Sequence, residues 1–155
     1  MKRTEGNLRL WHCRGIFLAV VLCLTSLAYA QFLDMPKVVD GYYELETPAH
    51  LRRFSSLVNN GSQTLNARLV ADIDMSGEGE FVPIGKYGQG FRGYFDGNGH
   101  TITGLKLPAQ NYSGLFGYMD GGRVSNLTLQ SPVLYLDNTT VHYAGLVCGH
   151  LSKGS

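Results

Sequence analysis

A glycine-punctuated block, Phe91–Leu107 (FRGYFDGNGHTITGLKL), constrains this chain more than any other stretch. Phe91, Gly93 and Phe95 alternate with Arg92, Tyr94 and Asp96, the period-two pattern of a strand. Gly97-Asn98-Gly99 follows as a tight turn, because glycine and asparagine tolerate positive φ. Ile102, Leu105 and Leu107 then form an apolar edge whose parity slips at Gly104, which marks a bend or bulge. The same edge recurs further along as Val124-Ser-Asn-Leu-Thr-Leu129, with Val124 in the place of Ile102. A second recurrence links Ser113-Gly-Leu-Phe-Gly117 to Ala144-Gly-Leu-Val-Cys-Gly149, with one inserted residue. On that alignment Ser155 matches Arg123, one residue before another apolar strand is due.

Short repeated units built from brief strands and glycine corners indicate a solenoid, and the nearest all-β form is a parallel β-helix. An antiparallel sandwich competes, since short strands with frequent turns also suit it. The repeated I/V-x-x-L-x-L edge and the repeated G-L-[FV] opening favour the solenoid. The expected fold class is therefore all-β, a β-helix with one N-terminal amphipathic helix, and the chain is expected to be the N-terminal part of a longer solenoid. Its open last coil predicts a marginal fold or end-to-end self-association.

The segment 1–30 stands outside this pattern. Lys2, Arg3, Arg9 and Arg14 precede an apolar run, Ile16–Ala28, and Ala28-Tyr29-Ala30 has the form of a cleavage site. This predicts a secretory signal peptide over 1–30, cleaved before Gln31. The run is shorter than the roughly 20 residues of a spanning helix, so no membrane span is expected after cleavage. Removal leaves 9 of the 13 Lys+Arg and 11 of the 12 Asp+Glu, a net charge of −2. Without a basic patch, nucleic acid is not an expected partner. Cys148 alone remains of the three cysteines, so stability must come from packing and backbone pairing, and Cys148 reads as a small buried hydrophobe.

Residues 31–42 read as a leader and 43–155 as the β-helix domain. Thr47-Pro48 opens a helix over about 48–59, with threonine as cap and proline at the first position. Leu51, Phe54, Leu57 and Val58 form its apolar stripe, and Arg52, Arg53, Ser55 and Ser56 its wet side. Gly61 stops it. This helix is expected to cover the first coil and blunt a sheet edge. Pro83, within Phe81–Gly85, predicts an edge or corner.

The chain resembles the GLUG-motif β-helix proteins of secreted and cell-surface bacterial origin. The matching residues are Asp72-Ile-Asp-Met-Ser76, Pro83-Ile-Gly85, Phe91–Ile102, Gly114-Leu-Phe-Gly117 and Gly145-Leu-Val147, within roughly Tyr43–Ser155. Phe91–Ile102 is the most specific of these. The resemblance implies a right-handed parallel β-helix in an exported, often large and adhesin-like protein. It supplies no catalytic residues, and family members usually continue through more coils.

Candidate chemistry is sparse. Asp72 and Asp74 mimic the start of a calcium loop, but the twelfth position is Pro83 where a bidentate glutamate is needed. Two outward carboxylates on a strand explain them better, and a surface calcium site with Glu78 and Glu80 nearby is the remaining metal reading. Asp96 and His100 flank the glycine turn as a conceivable acid–base pair; Asp96 is better explained as the cap of its own turn. No cofactor is expected. Tyrosines carry the binding candidates Tyr94, Tyr112, Tyr118, Tyr135 and Tyr143. Tyr94 points opposite to Phe91 and Phe95 and is expected to be exposed, and exposed tyrosines stack on sugars or contact proteins. Tyrosine's general suitability for half-buried strand positions is the plainer account.

The expected function is a non-catalytic, secreted or cell-surface module, adhesin-like, with a glycan or surface protein as partner. The alternative is the N-terminal part of a larger secreted enzyme, a peptidase or a polysaccharide-active one. A β-helix carbohydrate enzyme is least supported, because Asp96, Asp120 and Asp137 are spread out along the chain.

Overall fold

The computed structural model describes residues 35–136 and 143–152. The signal-peptide region, Asp137 and Ser155 lie outside them. The chain divides into two units, and the second, Pro36–Ser155, carries the strands. Its elements are β1 (Val38–Val39), β2 (Tyr42–Leu45), α1 (Pro48–Asn59), β3 (Asn66–Leu69), β4 (Ile73–Asp74), β5 (Tyr94–Asp96), β6 (Thr101–Thr103), β7 (Lys106–Leu107), β8 (Phe116–Asp120), β9 (Arg123–Ser125), β10 (Thr128–Gln130), β11 (Val133–Leu134) and β12 (Cys148–Ser152). The described fold is thus largely β with one helix.

Among the described residues four sheets run β1-β2-β3-β5-β9, β10-β6-β4, β11-β7 and β12-β8. Every strand pairing among these residues is parallel except β1 with β2. Partners lie far apart in sequence: Tyr42 faces Asn66, Phe95 faces Val124, Ile102 faces Leu129 and Cys148 faces Phe116. Like therefore sits beside like. Ala67, Phe95 and Val124 make one row, and Ile73, Ile102 and Leu129 another. The earlier members of each row are fully buried, while Val124, Leu129 and Leu134 are only partly covered.

The apolar repeat that aligns Val124 with Ile102 is not the register of the sheets. Val124 stands beside Phe95, and Leu129 beside Ile102. Four residues separate β5 from β6 but only two separate β9 from β10, so the offset between partners falls from 29 residues at Phe95–Val124 to 27 at Ile102–Leu129, and neither equals the 22 residues of the apolar repeat. What the backbone stacks is the turn: the Gly97 amide donates to Ser125 O at 2.8 Å and the Gly99 amide to Asn126 O at 2.9 Å. Asn98 and Asn126 both adopt left-handed φ, 51° and 52°. The bend expected at Gly104 is present, with φ 66°. The Ser113–Ala144 bridge agrees with the alignment of the two G-L-[FV] segments, and the β12-on-β8 register agrees with it beyond the inserted residue, where Tyr118 faces His150; Phe116 itself faces Cys148 and not the aligned Val147.

Helix α1 begins where expected, with the His50 amide donating to Thr47 Oγ1 at 3.1 Å. Leu51, Phe54 and Val58 are buried, and so is Ser55, which the sequence pattern assigns to the wet side. The reason is what the helix lies against. Ser55 Oγ donates to Val82 O at 2.7 Å, and Asn59 Nδ2 donates to Pro83 O at 2.9 Å. Asn59 Oδ1 accepts from the Gly85 amide at 2.9 Å, and Arg52 donates to Gly79 O and Glu80 O. The other side of this segment pairs with the strand region around Phe116. Pro83 does sit on an edge, and the helix's polar side chains, rather than another strand, satisfy that edge. The outer edge of β2 is covered instead by β1, turned back through Asp40 and Gly41 at φ 51° and 79°. The stretch read as a leader thus contributes a strand.

Asn59→Ala unpairs the Gly85 amide and takes from the Pro83 carbonyl its shorter hydrogen bond, leaving the one from Ser55 Oγ at 3.3 Å. At about 1–3 kcal/mol per unsatisfied buried group, partly relieved by water in the clefts beside Asn59, the expected loss is about 2 kcal/mol in a denaturant melt. The Gly85 amide should also lose its protection from hydrogen exchange.

Candidate functional site

Parallel register gathers outward side chains from separate parts of the chain. Tyr118 on β8 and His150 on β12 are ladder partners, and their rings stack at 4.8 Å with planes 16° apart. Ser113 bridges Ala144, which places Tyr112 beside Tyr143; those rings stack at 5.2 Å and 12°. Asn111 holds this pair, its Oδ1 accepting from the amides of Tyr112 and Tyr143 at 3.1 and 3.2 Å. Tyr112 itself sits at φ 60°. Tyr87 rides on the short loop closed by Lys86 and Gln89, stacks on Tyr112 at 5.7 Å and meets Tyr118 edge-on at 5.8 Å. The result is a cluster of four tyrosines and one histidine. Partial desolvation, and then the neighbouring phenols, push the Tyr112 hydroxyl above its ordinary value. Tyr87 remains 72% exposed, so the cluster is open to solvent.

Of the five tyrosines singled out from sequence, Tyr112, Tyr118 and Tyr143 meet here. Tyr94 does not. It lies on β5, half-buried rather than exposed, with its hydroxyl 2.6 Å from Ser125 Oγ and its ring edge-on to Tyr42 at 6.2 Å. Ser125 comes from the adjacent β9 and Tyr42 from β2, two strands away on the other side, so a residue on the outer face is covered from both directions. Tyr135, just past β11, is exposed and makes no ring contact among the described residues. Tyr87 and His150 were missed as site residues. His150 was legible, since the repeat that aligns Gly117 with Gly149 also puts His150 opposite Tyr118.

The carboxylates are dispersed among local tasks. Asp72 Oδ1 accepts from the Thr101 amide and meets His100 Nδ1 at 3.0 Å; these bonds, the amide's foremost, hold it below the usual carboxylate range. Asp74 Oδ1 accepts from the hydroxyl and amide of Ser76 and is lowered for that reason. Glu78 pairs with Arg52. Asp72 and Asp74 are thus each engaged separately, and no cluster of three metal-ligating side chains occurs among the described residues. Asp96 does cap its own turn: the Asn98 amide donates to it at 2.9 Å and, ahead of Asn126 and Ser125, keeps it below the usual carboxylate range. His100 turns to Asp72 instead, so the Asp96–His100 pair does not form. Cys148 is half-buried, and burial pushes its thiol up.

Two clefts flank Val82. One, of about 230 Å³, lies toward Arg52 and Asn60. The other, of about 210 Å³, runs between Pro83, Lys86, Gln110, Asn111 and Tyr112, at the margin of the aromatic cluster.

No helix among the described residues is long and apolar enough to cross a membrane. No family model matches the chain, and no solved structure matches it. It is 30% identical, over 88% of its length, to a protein of Evansella cellulosilytica described as a Gly-rich membrane protein. It is 32% identical, over 74% of its length, to the halomucin of Haloquadratum walsbyi. The chain spans 17% and 1%, respectively, of the lengths of these curated relatives.

Proposed function

We propose that this chain is a non-catalytic binding module of an exported protein, a right-handed parallel β-helix of the GLUG-motif type that presents a tyrosine face to a glycan or surface protein. The observation that carries the binding reading is the Tyr87–Tyr112–Tyr118–Tyr143–His150 cluster, in which distant residues are brought by parallel register to one solvent-open patch. Parallel pairing between residues roughly one circuit apart supports the solenoid: Thr101 with Thr128, and Lys106 with Val133. A rigid rung-by-rung scaffold holds its aromatics with little entropy left to lose on binding. The engagement of Asp72, Asp74 and Asp96 in separate local bonds favours binding over hydrolysis, because acid–base catalysis needs carboxylates converging on one substrate. The descriptions of the two relatives accord with a surface setting.

The test is retention on the surface of the producing cells. Purified protein is added back, and the bound fraction is compared with that of a Tyr87→Ala/Tyr143→Ala variant. Two exposed anchors at about 1–2 kcal/mol each predict a roughly 30- to 700-fold loss of affinity with an unchanged melt. Equal retention of the two proteins defeats the reading.

A further inference from the structure

The cleft beside the cluster has a defined chemistry. Asn59 spends its amide on Ser55, Pro83 and Gly85 and serves as framework. Asn111 spends its oxygen on two backbone amides, and its Nδ2 makes no hydrogen bond among the described residues. The Gln110 side-chain amide makes no hydrogen bond among the described residues, and Lys86 takes part in no ion pair there. Among the described residues, side-chain donors outnumber acceptors in this lining, which includes one cation and no carboxylate. Such a set suits an oxygen-rich anion. At about 210 Å³ the cleft lies below the roughly 300–1,000 Å³ that holds a drug-sized molecule, so it takes one unit of a chain.

Immediately outside stands Tyr87, stacked on Tyr112 on one side and 72% exposed. A sugar ring turns weakly positive C–H groups toward one face, and an aromatic face is negative. A pyranose chain can therefore seat one residue in the cleft and lay the next against Tyr87. A protein hot spot would instead fill a dry apolar pocket, and this lining is amide and ammonium.

We infer that the Lys86–Gln110–Asn111–Tyr112 cleft, with Tyr87 at its mouth, binds an acidic saccharide: Lys86 holds the acid group, the two amides hold ring hydroxyls, and Tyr87 stacks on the adjoining sugar. This rests on the tyrosine face being a binding surface, and it names the ligand class.

The probe is an array of immobilised oligosaccharides carrying uronate, sialate or sulfate groups, with neutral oligosaccharides and poly-glutamate alongside. Expected is retention of the full exported chain on acidic oligosaccharides alone, weakened by added salt. Lys86→Ala should cut affinity roughly tenfold, equivalent to about 1.4 kcal/mol, and Tyr87→Ala by a similar factor. Both side chains are exposed, so melts should not move. Retention on neutral and acidic sugars alike, still dependent on Tyr87, overturns the acidic assignment and leaves the tyrosine face standing. Retention on poly-glutamate alone overturns the saccharide class. No retention on the array by a protein that still adheres to cells through Tyr87 and Tyr143 overturns this inference only; loss of both overturns the binding reading as well.

Discussion

Phe54→Ala is expected to remove about 3–5 kcal/mol of stability. Phe54 is the helix's main contribution to the core. It is fully buried, and its ring lies 6.0 Å from Tyr43, 6.1 Å from Phe91 and 6.1 Å from Phe95. These partners belong to β2, to β5 and to the segment before β5, so one ring fastens the helix to several separate stretches of chain. The cavity cannot close easily, because the strands on its far side are locked in parallel ladders. Alanine's better helix propensity returns only about 0.5 kcal/mol. A domain of this size holds about 5–15 kcal/mol in all, so the variant should be near the limit of folding. The denaturant midpoint should fall with little change in slope, and Phe54→Leu should cost less than half as much. A Phe54→Ala loss below about 1 kcal/mol, against the usual range for a buried aromatic, would mean that the helix does not depend on this contact.

Gly93→Ala is expected to be as severe for the opposite reason. A Cβ at Gly93 would lie 1.9 Å from Leu65 O and 2.8 Å from Leu65 C. The obstruction is the backbone of the adjacent segment, held there by the Arg92 amide donating to Gln63 O at 2.8 Å and the Tyr94 amide donating to Asn66 Oδ1 at 2.9 Å. No rotamer relieves it, so the two segments must separate or the strand must slip. Overpacking of this kind costs about 3 kcal/mol or more. Gly99→Ala is the control. Gly99 has φ 80° and open space around its Cβ, so only the left-handed conformation is penalised, at about 1–2 kcal/mol. Thermal melts of the two variants separate the mechanisms: a Gly93→Ala protein melting at or above Gly99→Ala would disprove the close approach of Gly93 to Leu65.

Short-range chemistry was legible in the sequence wherever it suffices. The helix runs from Pro48 to Asn59 because Thr47 supplies a side-chain acceptor and Pro48 a preset φ, and both effects act within one turn of chain. The bend at Gly104 and the capping of its own turn by Asp96 are likewise interactions across a few residues. That the described chain is mostly strand followed from its period-two pattern and glycine corners.

Whatever depends on which strand lies beside which was decided by the tertiary structure. The pairing of Leu129 with Ile102 at an offset two residues shorter than that of Val124 with Phe95 turns on the unequal loops before β6 and β10, which the apolar repeat along the sequence does not record. Ser55 is buried because the Val82–Gly85 edge needs donors, a demand that arises far downstream of it in the chain. Tyr94 is covered and Tyr87 is not, although both are tyrosines outside the core rows, because neighbours from distant parts of the chain close over one and leave the other in water. Residue type and short-range spacing determine turns, caps and strand character. Side-by-side placement in a parallel sheet is set by the summed length of every loop between two strands, so the tyrosine cluster and the cleft beside it emerge only when the strands are laid against one another.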